Sequence, residues 1–160
     1  MRSPCYKGVS MLGREDMTDT LLAGIDGSED GKRAAEFAAA RAKAAKARLV
    51  VAYVIEWSPY TFNTPEENEM RHKRREEEID RAKAQVLDPL VAALKSSGIE
   101  VQGLVRHGHP AQVLSDLAGE TGACQIFIGR RGISRMAALL FGSVAGTLVQ
   151  ISPVPVTVVP

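Results

Sequence analysis

Short apolar runs alternate with longer amphipathic segments along this chain, and the alternation predicts its architecture. Strands are usually about four to eight residues long, whereas helices repeat their apolar positions every three to four residues. The strand-like runs are 21–25, 49–55, 99–106, 126–128 and 154–159, and the helical segments cover about 31–47, 66–97, the stretch after Pro110, and 143–151. Such alternation indicates a parallel, doubly wound sheet with right-handed crossovers. We predict a single-domain α/β, Rossmann-like fold with five parallel strands and helices on both faces.

Polar and small residues predict where several of these elements begin, end or pack. Asp88-Pro89 should break the second helix, with Asp88 as the cap of its second piece. Because proline cannot donate to a β-ladder, the prolines at 153, 155 and 160 mark the last strand as a sheet edge. The alternating third strand is expected at or near an edge as well. In the first helix, Ser28 suits the cap, and the expected inner face is Ala34, Phe37, Ala38, Ala42 and Ala45.

A glycine-bounded loop after the fourth strand carries the clearest candidate chemistry. Gly129, Gly132 and Gly142 precede a helix that begins near Ser143. Glycine lacks Cβ, so these positions can take φ > 0 and bring main-chain N–H groups to an anion, while the helix N-terminus adds unpaired donors. The loop also contains the cations Arg130, Arg131 and Arg135, which complement phosphate. These features predict a nucleotide site, although the spacing alone also fits a surface loop whose glycines serve only turns.

The first strand ends in an acid, which separates this chain from two common phosphate-binding motifs. Asp26 stands where a P-loop would need its first glycine, and Arg33 stands where that motif needs a metal-binding hydroxyl. The glycines around this turn also have the wrong spacing for the dinucleotide fingerprint. A carboxylate suits ribose hydroxyls or a base amino group. If strands one and four are neighbours, Asp26 and Gly129 face one crevice at the carboxyl ends of the strands.

Length and composition exclude several classes of protein. At 160 residues and 45% hydrophobic content, the chain suits one domain with its own core. The net charge of +1 argues against an extended nucleic-acid surface. No apolar run reaches the roughly 18 residues of a membrane span, and two cysteines cannot form a disulfide framework, which fits a cytoplasmic protein. Residues 1–19 are predicted to be a disordered extension, with Met17 as a candidate natural start, so the domain should span 20–160.

Two other features admit a functional and a structural interpretation. Trp57, Tyr60 and Phe62 could flank a base, although packing under the next helix is favoured. His107 and His109 could bind a metal or act as a base. No third ligand is nearby in the sequence, so surface or capping roles are favoured.

The chain resembles the ATP-binding branch of the universal stress protein family over about 20–160. The matching signals are I-D-G-S at 25–28, V-I-E at 54–56, the Gly108 and Pro110 turn, G-x2-G-x9-G-S from Gly129, and V-P-V-x-V-V at 154–159. The resemblance implies homodimers that pair through the last strand. Two residues depart from the family's pattern, since Arg130 stands where a small hydroxyl residue is usual and Cys124 where an acid is common.

The resemblance also implies a site for ATP, or for ADP or AMP, with Mg²⁺ or Mn²⁺ on the phosphates. Asp26 and the main chain of Gly24 would lie by the adenosine, and the main chain of Val54 would contact the adenine. The residues implied around the ribose and phosphates are Ile128, Gly129, Arg131, Gly132, Gly142, Ser143 and Val144.

The expected function is a nucleotide-dependent regulatory module of the stress response, with at most slow ATP hydrolysis. Hydrolysis needs a group that positions or deprotonates water, and no such group is evident in the glycine loop. The alternative is a dimeric interaction module of the same fold that binds no nucleotide. A further alternative is a nucleotidyl-transferring enzyme of related architecture, but the His-x-Gly-His turn it would need after strand one is absent.

Overall fold

The computed structural model describes residues 19–56, 65–133 and 142–160, with main chain only over 65–73. Most of the predicted N-terminal extension and the aromatic loop with Trp57, Tyr60 and Phe62 lie outside these residues. The elements in chain order are β1 (Thr20–Ile25), α1 (Glu29–Ala45), β2 (Arg48–Glu56), α2 (Pro65–Ala82), a π-helical turn (Lys83–Leu87), α3 (Asp88–Lys95), β3 (Val101–Gly108), α4 (Pro110–Thr121), β4 (Ala123–Gly129), α5 (Ser143–Ile151) and β5 (Val156–Val159). None of the described helices is long and apolar enough to cross a membrane.

The five strands form one parallel sheet in the order β3-β2-β1-β4-β5. This confirms the predicted fold class. The strand order reverses next to β1, because the chain goes from β1 to β2 and β3 on one side and returns to β4 and β5 on the other. All six residues of β1 are buried. The predicted neighbours, strands one and four, are paired, so their carboxyl ends open into the same crevice.

Two apolar layers sandwich the sheet. The first is formed by α1, the π-helical turn and α3 over residues such as Ala23, Val51 and Phe127. The second is formed by α4 and α5 over residues such as Leu22, Val50 and Ile128. Alternate residues of each strand serve opposite layers, as the pleat of a strand requires.

Helix α1 packs through glycine and alanine alone. Its buried residues are Gly31, Ala34, Ala35, Ala38, Ala39 and Ala42. Two predicted inner residues are therefore wrong, because Phe37 and Ala45 are exposed. The small side chains let the helix approach the sheet closely, and the bulky Phe37 turns to its margin, where its ring lies 6.0 Å from that of Phe127. Ser28 caps the helix as expected, since its Oγ accepts from Gly31 N–H at 3.1 Å.

The second helix breaks earlier than predicted, at a π-helical turn rather than at a cap. Asp88 has helical angles and makes no capping hydrogen bond, so its predicted role as a cap is wrong. Instead, the N–H of Asp88 donates to the carbonyl of Lys83, five residues earlier. This wide turn accommodates Pro89, which has no N–H and would clash with the carbonyl four residues before it in a regular α-helix. Strand β3 also starts two residues later than predicted, and so does β5.

Candidate functional site

A cavity of about 470 Å³ opens at the carboxyl ends of the strands, where the strand order reverses. Its walls come from the ends of β1, β2 and β4 and from the first residues of α4 and α5. The volume lies within the range of small-molecule sites, about 300–1,000 Å³. The ten residues predicted to hold a nucleotide all line it: Gly24, Asp26, Val54, Ile128, Gly129, Arg131, Gly132, Gly142, Ser143 and Val144.

A larger groove, about 720 Å³, lies on the other face of the sheet between α1 and α3. Its described walls mix apolar residues with both signs of charge, such as Lys32 and Glu36. It contains no part of the glycine loop. We therefore place the candidate site in the smaller cavity, where main-chain donors and charged side chains converge.

Asp26 ties the glycine loop to the end of β1. Its Oδ1 accepts from Ser28 N–H at 3.0 Å and from Ser28 Oγ at 2.6 Å. Its Oδ2 accepts from the N–H of Ile133 at 2.8 Å. Because charge-assisted hydrogen bonds are stronger than neutral ones, this carboxylate fixes the first part of the loop, up to Ile133, beside the central strand.

Asp30 holds the same loop from the first turn of α1. Its Oδ2 accepts from the N–H of Arg131 at 3.3 Å, and its Oδ1 pairs with the guanidinium of Arg33 at 2.6 Å. Arg33 in turn donates through Nε to the carbonyl of Pro160 at 3.0 Å. The loop is thus linked through one carboxylate and one guanidinium to the residue that follows β5.

The donors left for an anion lie at the start of α5. The N–H groups of Arg131 and Ile133 serve the two carboxylates, and that of Gly142 donates to the carbonyl of Arg130 at 2.9 Å. Within the described residues, no acceptor meets the N–H of Gly132, Ser143 or Val144. These three residues line the cavity at the N-terminus of α5, where the helix dipole favours negative charge. An anion would therefore bind at Gly132 and the first turn of α5.

The loop glycines are required for space rather than for left-handed conformations. The glycines with positive φ in the described chain are Gly27, Gly98, Gly108 and Gly122, so the expectation of φ > 0 at the three loop glycines is wrong. A Cβ on Gly129 would lie 2.6 Å from the main-chain carbon of Asp30. A Cβ on Gly132 would lie 2.5 Å from Oδ2 of Asp26. A side chain at 129 would meet the backbone of α1, and a side chain at 132 would displace the carboxylate of Asp26 from its present position.

The sequence interpretation missed one wall of the cavity. Tyr53, Glu56, His109, Pro110 and Leu114 line it from the end of β2 and the start of α4. The signal was available, because β2 and β3 are parallel and their carboxyl ends must lie at the same edge of the sheet. The turn that follows β3, with His109 and Pro110, therefore belongs to the same edge as the end of β2.

The two histidines diverge in the structure. Nε2 of His107 lies 3.4 Å from Oε2 of Glu78 in α2, whereas His109 lies at the cavity in the N-cap position of α4 without a capping hydrogen bond. No group of three or more potential metal ligands occurs among residues 19–56, 74–133 and 142–160.

Cys124 lies at the opposite end of β4 from the cavity and is partly buried in the α1 layer. Burial raises the pKa of its thiol above the usual value, against a smaller lowering effect from its own backbone. The thiol is therefore protonated at neutral pH and is a poor nucleophile.

Comparisons with known proteins identify the family. The sequence model described as "Universal stress protein family" matches residues 17–160. The chain belongs to this family. A universal stress protein from Thermus aquaticus is 33% identical over 144 residues, which cover 89% of this chain and 99% of that protein.

Solved structures of universal stress proteins share the fold. The protein UspA from Lactobacillus plantarum superposes with a TM-score of 0.76 at 20% identity, over 91% of this chain and 100% of that one. A universal stress protein in complex with cAMP has a TM-score of 0.62 at 22% identity, over 89% and 97% of the two chains. An Archaeoglobus fulgidus universal stress protein in complex with dAMP has a TM-score of 0.60 at 21% identity, over 90% and 98%.

The close approach of Gly129 to α1 gives a test of the loop packing. We expect Gly129→Ala to lower the free energy of unfolding by about 1–3 kcal/mol, because its Cβ must displace backbone rather than a flexible side chain. The matched control is Gly119→Ala in α4, where nothing lies within 4 Å of the added Cβ. That change should stabilise the protein by about 0.5–1 kcal/mol, the gain of alanine over glycine in a helix. Urea unfolding of both variants measures the difference, and equal effects would contradict the packing described.

Proposed function

We propose that this universal stress protein binds an adenine nucleotide, namely ATP, ADP or AMP, and acts as a nucleotide-dependent regulatory module. The observation that carries the proposal is the convergence of three distant segments on one cavity. These segments are the end of β1, the end of β2, and the glycine loop with the start of α5. The complexes of relatives with cAMP and dAMP support the same ligand class.

The cavity walls fit the parts of such a ligand. Val54, Leu114 and Ile128 offer an apolar surface for the base. A carboxylate has about four lone-pair positions, and Asp26 uses three of them within the protein, which leaves one for a ribose hydroxyl. The N–H groups of Gly132, Ser143 and Val144, which have no acceptor among the described residues, would bind phosphate, with Mg²⁺ or Mn²⁺ held mainly by the phosphates themselves.

The arrangement favours binding over efficient hydrolysis. A general base must reach the attacking water at the phosphate end of the ligand. Of the two acids that contact the loop, Asp26 already accepts three hydrogen bonds, and Asp30 is paired with Arg33 and with the N–H of Arg131. Glu56 and His109 line the wall formed by the end of β2 and the start of α4. This wall is the end of the cavity proposed to hold the adenine, away from the phosphates. No group among the described cavity residues is thus both free to act as a base and close to the phosphate donors.

A homodimer through β5 fits the geometry of the sheet edge. Ile126 N–H donates to Pro155 O, and Arg130 N–H donates to Val159 O at 2.8 Å. Because successive main-chain groups of a strand point in opposite directions, those of Val156 and Val158 face away from β4. No strand among the described residues pairs with that outer edge. Helix α5 packs beside β5 and leaves Val149 and Ile151 exposed, which adds apolar surface next to the edge.

The same edge supports the alternative function, a dimeric interaction module without nucleotide. In that case the two carboxylates that hold the glycine loop would serve only its structure. The alternative and the proposal differ in what the purified protein carries, so nucleotide binding decides between them.

Ser143→Asp tests the phosphate end of the site. Ser143 is an exposed residue in the first turn of α5, where an acid should maintain or raise stability by about 0.3–1 kcal/mol through the helix dipole. The same negative charge should repel phosphate, so we expect ATP affinity to fall at least about tenfold from a micromolar value near −8 kcal/mol. Calorimetry of nucleotide-stripped protein with and without Mg²⁺ measures this, and Ser143→Asn is the neutral control.

Two results would contradict the nucleotide proposal. One is that the wild-type protein releases no nucleotide on denaturation and binds no ATP at millimolar concentration. The other is that Ser143→Asp binds ATP as tightly as Ser143→Asn. The first result would favour the interaction module. The second would show that the phosphates do not bind at the first turn of α5.

Hydrolysis is expected to be slow because, among the described cavity residues, no free general base faces the phosphate donors. Steady-state phosphate release from ATP should remain below about 1 s⁻¹, the lower end of ordinary enzyme turnover. A coupled phosphate assay at saturating ATP and Mg²⁺ measures the rate. A faster rate that survives in every preparation and disappears on Ser143→Asp would show that the protein is an efficient ATPase.

Val158→Pro tests the dimer edge. The substitution removes an N–H that faces away from β4 and leaves the hydrogen bonds between β4 and β5 in place, a position where proline is tolerated. We expect a monomer by size-exclusion chromatography with light scattering. Val158→Thr keeps the N–H and a β-branched side chain, and it should remain a dimer. A Val158→Pro protein that still dimerises would exclude strand pairing at this edge.

A further inference from the structure

Arg130 occupies a fixed place between the sheet and α5. Its N–H donates to Val159 O at 2.8 Å, and its carbonyl accepts from Gly142 N–H at 2.9 Å. The main chain of this residue is therefore held on one side by β5 and on the other by the N-cap of α5. Any ligand that occupies the cavity meets Arg130 in a preset position.

The side chain of Arg130 lines the cavity from the α5 side of the sheet. Ile128 belongs to the apolar layer under α4 and α5, whereas Gly129 lies against Asp30 of α1 on the opposite face. Arg130 continues the alternation and lines the cavity with Ser143 and Val144. Its Nε is buried and has no hydrogen-bond partner within the described part of the chain.

A buried guanidinium N–H without an acceptor is costly, so this group calls for an explanation. The nearby carboxylates are already committed, because Asp26 serves Ser28 and Ile133, and Asp30 serves Arg33 and Arg131. The other acid that lines the cavity, Glu56, lies at the end of β2, and no ion pair joins it to Arg130 among the described residues. An acceptor that arrives with the ligand would satisfy it.

We propose that Arg130 is a specificity-determining residue that binds the phosphate chain and makes the site select nucleoside diphosphates and triphosphates over AMP and adenosine. The inference rests on the proposed function. Arg130 and the first turn of α5 both line the cavity, so two anion-binding groups are available to a phosphate chain. A second phosphate gives the guanidinium its own oxygens, which it can bind in the bidentate manner typical of arginine.

The test compares adenosine, AMP and ADP by calorimetry on nucleotide-stripped protein. In the wild-type protein, ADP should bind at least about tenfold more tightly than AMP, as expected for a charge-assisted contact. Arg130→Gln should remove most of this preference and leave adenosine affinity within about twofold. Arg130→Lys should keep part of the preference, because it retains the charge without the planar guanidinium. The control for net charge is Arg41→Gln, an exposed position on α1.

A structural role for Arg130 would give different results. Because Nε has no described partner to lose, the melting temperature of nucleotide-free Arg130→Gln should be no lower than that of the wild-type protein. A lower melting temperature, or an equal loss of adenosine and ADP binding, would overturn the proposal. Wild-type protein that binds adenosine but does not prefer ADP would overturn this inference alone. Wild-type protein that binds none of the three ligands would overturn the proposed function with it.

Discussion

The contact of Asp26 with the glycine loop is the constraint on which the rest of the site depends. The carboxylate stands at the end of the central buried strand, and its Oδ2 accepts the N–H of Ile133. Gly132 must lack a side chain for that approach, as Gly129 must for the approach of α1. Residues 129–133 are therefore held without help from a ligand, and the hydrogen bond from Gly142 N–H to Arg130 O places the start of α5 beside them. Preorganisation of this kind lowers the cost of ordering a site when the ligand binds.

Asp26 and Asp30 place two negative charges against a loop proposed to bind phosphate, and the geometry removes the conflict. Asp26 and Asp30 each point at main-chain donors of the loop, and Asp30 is also paired with Arg33. Both carboxylates accept hydrogen bonds from the loop, while the main-chain donors without an acceptor in the described part of the chain lie at Gly132 and at the start of α5. The N–H groups of Arg131 and Ile133 thus serve the structure of the loop, and the N-terminus of α5 is left for the ligand.

The two faces of the sheet contribute differently to the site. On one face, the alanine-rich α1 packs closely enough for its first turn to contact the loop. On the other face, α4 and α5 stand apart at their N-termini and form the cavity between them. The contact from Arg33 to the carbonyl of Pro160 joins the first arrangement to the end of β5. The proposed dimer edge and the proposed phosphate loop thus share a physical connection.

Much of this protein was determined by local sequence. The apolar runs and the glycine spacing predicted the sheet and a crevice shared by Asp26 and the glycine loop, because strand periodicity and parallel topology bring the carboxyl ends of strands together whatever the details of packing. The full set of ten cavity residues came from the resemblance to the universal stress protein family. Tertiary packing alone decided that Phe37 is exposed, that Gly129 and Gly132 are needed for space, and that Asp26 and Asp30 hold loop amides. These features depend on how closely α1 approaches β4. That distance is set by contacts between remote parts of the chain, such as the side chain of Asp30 and the main-chain N–H of Arg131, which are 101 residues apart. No local pattern records such a distance, because it exists only when both segments are packed on the same sheet.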